Sequence, residues 1–279
     1  MKNLLFDYYM QISYTEPVGV CHYTIRCIPA GTDNQRLGQT KMEIIPEDNH
    51  TLGKDSFGNW LIIGRVDADH DSFIFHIRGS VQTGLCGYEV AEAEEKTAVY
   101  KYPSTLTKPG NGLKTYYESL IFEEGMSDYE KAVFMMHRLH NDFIYEKGIT
   151  DVNTTAEEAW KIGKGVCQDY AHILTALCRL AGIPARYVTG MMVGEGYSHA
   201  WIEILILAEG KWYALDPTND LIVGDEHIKI GNGRDAADCM INRGIMKGGG
   251  RQSMTVTVKV SERGEKYDSD SRIRGTSCR

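Results

Sequence analysis

Cys167, His199 and Asp216 have the types and the order along the chain to carry out acyl transfer. A thiol is mostly protonated near neutral pH, so a nucleophilic cysteine needs a local reason to ionise. Cys167 follows Gly163 and Gly165 and opens a segment in which Tyr170, Ala171, Leu174, Leu177, Cys178 and Ala181 recur at helical spacing. The spacing predicts a helix over 167–181 with the thiol at its N-terminus, where unpaired N–H groups and the helix dipole favour an anion. That contribution is only ~1 kcal/mol, so a histidinium must supply the rest. His199 opens a predicted strand, 199–207, and Asp216 closes the next, 212–216, just before Pro217. If these strands pair across a turn at 209–211, His199 and Asp216 become near neighbours and the carboxylate can fix the imidazole tautomer. The chemistry would be thiolate attack on an amide carbonyl, with imidazolium protonating the leaving amine and the Cys167 N–H supplying one oxyanion donor. Asp169, in the first helical turn, is expected to cap or tie down the entry loop.

The elements that must position these residues fall into two regions. Residues 1–105 read as an N-terminal β-rich accessory domain, with strands over 4–14 and 19–28 separated by a turn at Glu16-Pro17, and further strands over 40–45, 60–66 and 72–80. A linker over 106–125 is punctuated by Pro109, Gly110 and Gly112. The catalytic domain is expected over 126–260. Ser127 with Glu130, and Thr155 with Glu158, are capping-box signatures for two helix starts. Gly182 stops the Cys167 helix, and the alternating segment 253–260 is predicted to close the catalytic sheet. Residues 261–279 are polar and expected to be disordered. The fold class expected is α+β: an antiparallel β domain followed by a core with the nucleophile at a helix N-terminus packed on an antiparallel sheet.

Composition narrows the partners. At 279 residues and a net charge of −8, nothing favours a nucleic-acid partner. The longest apolar stretch, 200–208, is interrupted by Glu203 and is too short to span a bilayer. The N-terminus meets Asp7 and Gln11 before any cleavage-type site, so no secretory leader is expected. Seven cysteines, sparse and odd in number, suit a reducing, cytoplasmic location, with Cys21, Cys27 and Cys178 as buried thiols. His137 and His140 lack carboxylates at ligand spacing, and the glycine runs lack the form of a phosphate loop, so no metal and no cofactor are expected. His172 is read as structural or solvent-facing, Trp201 and Trp212 as packing aromatics, and Arg234–Asp235 as an ion pair ordering the 231–233 loop. A homo-oligomer is compatible with the sequence.

The segments GVCQDYAHILTALCRLAGIPARYVTG, SHAWIEI and KWYALDPTN, in that order, resemble the core of the transglutaminase-like superfamily, especially bacterial members described as cysteine proteases. The resemblance places that family's catalytic triad on Cys167, His199 and Asp216, and likens residues 1–105 to the accessory domain that precedes such cores. The superfamily includes peptidases, amidases and cross-linking enzymes; because nothing here resembles the large multidomain, calcium-dependent cross-linking enzymes, the reading taken is an amide hydrolase, a peptidase or amidase acting on a peptide or other amide through a thioester on Cys167. Transfer of the acyl group to an amine, and a binding or structural protein with a silent triad, are the alternatives the sequence leaves open.

Overall fold

The computed structural model describes residues 1–47, 49–91 and 97–263. In chain order the first region carries β1 (Lys2–Ile25), β2 (Gln35–Ile45), β3 (Asn49–Lys54), β4 (Trp60–Val66), β5 (His70–Thr83) and β6 (Glu89–Val90). Then follow α1 (Asn111–Ser119), α2 (Asp128–Asp142), β7 (Ile144–Tyr145), α3 (Ala156–Ile162), β8 (Lys164–Gly165) and α4 (Cys167–Leu180). The chain continues through β9 (Ala185–Met192), β10 (Gly194–Gly196), β11 (His199–Ile206), β12 (Lys211–Asp216), β13 (Leu221–Ile222) and β14 (His227–Gly233), and ends in β15 (Asn242–Gly248) and β16 (Gln252–Glu262).

The first sheet curls around β1. The N-terminal half of β1 lies between β16 and β5, and its C-terminal half between β15 and β4. Glu16-Pro17 is therefore a bend within one strand and not a turn between two. The register slips between Ser13 and Val18, and proline, which has no N–H to give to a ladder, is tolerated at such a bulge. Leu4, Phe6, Tyr8 and Met10 alternate inward against Phe73, Phe75 and Ile77 of β5 and Val258 and Val260 of β16. Met191, Ile228 and Ile230, from the second sheet, enter the same core.

The second sheet runs β13-β12-β11-β9-β14, with β6 added against β12. Helix α4 covers one face, packing Ile173, Leu174 and Leu177 against Ile202, Ile204 and Leu215. The segment 253–260 is a strand, but it pairs with β1 of the first sheet and not with the second sheet, where it was expected. That strand also runs on through Glu262, so 261 and 262 are ordered; the rest of the expected tail, 264–279, lies outside the described residues. The stretch read as a linker holds α1, whose buried Leu113 joins the α4 core. Its first N–H groups are capped from a distance, because Gly110, Gly112 and Leu113 donate to the Glu157 carboxylate of α3 at 2.9, 2.9 and 3.0 Å. Both predicted capping boxes are formed, at Ser127/Glu130 and Thr155/Glu158. No helix among the described residues is long and apolar enough to cross a membrane.

Candidate active site

Two glycines bring the chain into α4 for different reasons. Gly163 terminates α3 in the left-handed region, at φ 76°, a conformation glycine adopts without steric cost. Gly165 is required by a close approach: a Cβ there would collide with the Asp169 carboxylate. Asp169 is 1% exposed, and its Oδ2 accepts from the Val166 N–H at 2.7 Å and the Thr150 hydroxyl at 2.6 Å. Burial pushes the Asp169 carboxyl up, against these two bonds. Asp169 thus ties the entry loop to the first turn of α4, as its position suggested. Gly165→Ala is expected to lower folding stability by about 1–3 kcal/mol, read from the midpoint of urea unfolding; an unchanged midpoint would mean the loop yields freely.

Cys167 is half-buried at the start of α4. His199 opens β11 opposite Gly190 of β9. Its Nε2 donates to Asp216 Oδ2 at 2.7 Å, and the Cys167 thiol acts on the same ring, favouring its charged form. With Nε2 committed to the carboxylate, Nδ1 is the nitrogen left for the sulfur. The β11–β12 register, Ile202 opposite Leu215, is the antiparallel pairing the turn predicted. Burial opposes charge on the His199 ring, but hydrogen bonds to Asp216 and Cys167 and the negative charges behind them outweigh it and raise its pKa to about 10.

Asp216 is fully buried. Burial alone would raise its carboxyl, yet hydrogen bonds from His199, His227 and Asn219 hold it well below the usual carboxylate range. Oδ1 accepts from the backbone N–H groups of Thr218 and Asn219 at 3.0 and 3.2 Å, and Oδ2 from Asn219 Nδ2 at 2.8 Å and His227 Nε2 at 3.2 Å. The Asp-Pro-Thr-Asn turn therefore wraps its own carboxylate. His199, Asp216 and His227 present ligand-type atoms within 4.8 Å of one another, a set that could hold one divalent cation. Their 2.7 and 3.2 Å separations are nonetheless those of N–H···O bonds.

Other predicted residues fall outside this cluster. His172 is fully buried, so the solvent-facing option is excluded; Nε2 accepts from the Ala236 N–H at 3.1 Å, and burial pushes its pKa down to about 4. Arg234 pairs with Asp238 at 2.8 Å and not with Asp235, which instead caps the turn at Ala237 and accepts from the Leu106 N–H. His137 meets Asp220. Trp201 packs on the His227 ring, centroids 5.2 Å apart, and Trp212 lies under Arg186. Cys21, Cys27 and Cys178 are buried thiols. Sequence reasoning gave no role to His227 or Asn219.

Comparison with known families meets this geometry from outside. Residues 117–217 match the model of the transglutaminase-like superfamily core, and residues 7–82 that of the bacterial transglutaminase-like N-terminal region. The chain belongs to the transglutaminase-like superfamily. A Cytophaga hutchinsonii protein of known structure, described as a candidate cysteine protease, shares the superfamily fold with a TM-score of 0.77 at 22% identity, over 96% of this chain and 93% of that one. An uncharacterized Mycobacterium leprae protein is 38% identical over 127 residues, 42% of this chain and 44% of the relative. An uncharacterized Mycobacterium tuberculosis protein is 36% identical over 123 residues, 39% of each. The match thus spans less than half the length of these curated relatives.

Proposed function

We propose that the protein is a cysteine-dependent amide hydrolase, of peptidase or amidase type. The observation that carries this reading is the His199 imidazole, held between a buried carboxylate and a thiol that opens a helix. In the forward step His199 Nδ1 takes the Cys167 thiol proton, and the sulfur forms a bond to the amide carbonyl carbon while the carbonyl π pair moves onto oxygen. The Cys167 N–H at the head of α4 serves as a donor to that oxyanion in this scheme. Collapse of the adduct expels the amine, which takes its proton from His199, and leaves a thioester. His199 then removes a proton from water, which attacks the thioester; the acid is released and the thiol regains its proton. Asp216 does not exchange protons in this scheme. It keeps the ring oriented and stabilises its cationic form.

The test is a peptide and amide library incubated with the full chain and with Cys167→Ala, followed by mass analysis. New amine and acid products from the parent alone are expected, together with a thioester adduct on the Cys167 peptide when the reaction is quenched in acid. Products that incorporate an added amine in place of water would move the assignment to acyl transfer. No turnover combined with slow alkylation of Cys167 would leave a silent triad.

A further inference from the structure

We infer that His227 is a positioning residue that holds Asp216 in place for His199, a role that rests on the amide-hydrolase reading above. A buried carboxylate can only accept, so each nitrogen facing Asp216 must carry a hydrogen. His227 Nε2 lies 3.2 Å from Asp216 Oδ2, which fixes His227 as the Nε2–H tautomer. Its other nitrogen, Nδ1, is buried and has no hydrogen-bond partner among the described residues. Leaving a buried acceptor unpaired is unfavourable, and an apolar side chain could fill the same place against Trp201 without that cost. Packing alone therefore does not account for a histidine here, whereas the Nε2–H donor does.

The placement adds a second reason. His199 comes from β11 and the Asn219 amide from the turn after β12. His227 reaches the same Oδ2 from β14, where it pairs opposite Met192 of β9. Three chain segments thus fix one oxygen. The two rings stand 5.8 Å apart, centroid to centroid, so swinging the carboxylate toward one would break its bond to the other. With Oδ2 already accepting from His227 and Asn219, its pull on the Nε2 hydrogen is weakened, so that hydrogen stays on the ring and Nδ1 is left to exchange a proton with the thiol and the leaving amine.

The test needs no substrate. The rate of Cys167 alkylation by iodoacetamide at pH 6, located by peptide mass analysis, is compared in the parent full chain, His227→Gln, His227→Asn and His227→Leu, with thermal unfolding of each. Glutamine carries an amide N–H to about the reach of Nε2, whereas asparagine falls short and leucine has no donor. The parent is expected to label fast, H227Q to stay within about threefold, and H227N and H227L to slow by about 10–100-fold. H227Q and H227N are both buried polar amides, so a difference between them reports the donor and not general stability, even if H227L unfolds. Labelling of H227N at the parent rate, or of H227Q as slowly as H227N, would overturn the role of His227 while leaving the proposed hydrolase intact. A parent that labels no faster than an ordinary thiol would overturn the hydrolase reading and the His227 role with it.

Discussion

Replacing His199 by alanine is expected to slow alkylation of Cys167 at pH 6 by about 100-fold and to lower amide turnover by about 10²–10⁴-fold, the range of one general acid–base group. Cys167 sits at a helix start, but that position contributes only ~1 kcal/mol to an anion, so most of any activation must come through the ring. The same ring couples stability to pH. Its folded pKa, about 10, lies above the ordinary value of 6.5, so the folded state holds a proton that the unfolded chain has released. Stability from this group is fully present below pH 6.5 and is lost as pH rises through about 10. The urea midpoint of the parent should therefore fall more steeply between pH 7 and 10 than that of H199A. Equal slopes, or labelling of H199A at the parent rate, would remove His199 from the site.

Much of this was legible in the sequence because the signals were local. The apolar stripe from Tyr170 to Ala181 sets a 3.6 period, Gly182 stops it, and Ser127/Glu130 and Thr155/Glu158 announce their helices within one turn. The hairpin of β11 and β12 brings His199 to Asp216 through a single reverse turn, so their proximity also needs no distant partner. What was missed depends on distant partners. Alternation in 253–260 says strand but does not say which sheet, and the choice of β1 over the second sheet is made by Phe6, Tyr8 and Met10 packing with Val258 and Val260. Helix α1 has no local capping side chain; its cap is Glu157, more than forty residues on, so only the proline and glycine punctuation showed. His227 carried a weaker signal. In β14, His227 and Lys229 alternate with Ile228 and Ile230, and all are buried. Polar residues on one parity of a strand buried on both faces must have partners. Lys229 finds Glu203 and Glu89, and His227 finds Asp216.

Asp216→Asn and Asp216→Ala should separate the orienting role of this residue from its structural one. Alanine leaves the donors of His199, His227, Asn219 and Thr218 facing a void with no exposure to water. Removing one partner from such a buried cluster costs about 3–5 kcal/mol, so D216A should unfold at clearly lower urea. Asparagine keeps the volume but presents one acceptor and one NH₂. The backbone N–H groups of Thr218 and Asn219 cannot change, so the amide oxygen is expected to stay with them and the NH₂ to turn toward the two imidazoles. Donor then meets donor unless His199 shifts its hydrogen to Nδ1, the nitrogen facing Cys167. In that tautomer the neutral ring cannot accept the thiol proton, and turnover should fall by about 10⁴-fold while folding at pH 7 is lowered less than in D216A. The sign at low pH is opposite to that for His199. The folded pKa of Asp216 is depressed, so its contribution is present above the ordinary carboxylate value and is lost as pH falls through the folded value. Acid unfolding of D216N should consequently lose the part of the parent's pH dependence that this carboxylate supplies. D216N turning over within about tenfold of the parent would show that the tautomer is set elsewhere, since no other acceptor holds His199 Nε2 among the described residues.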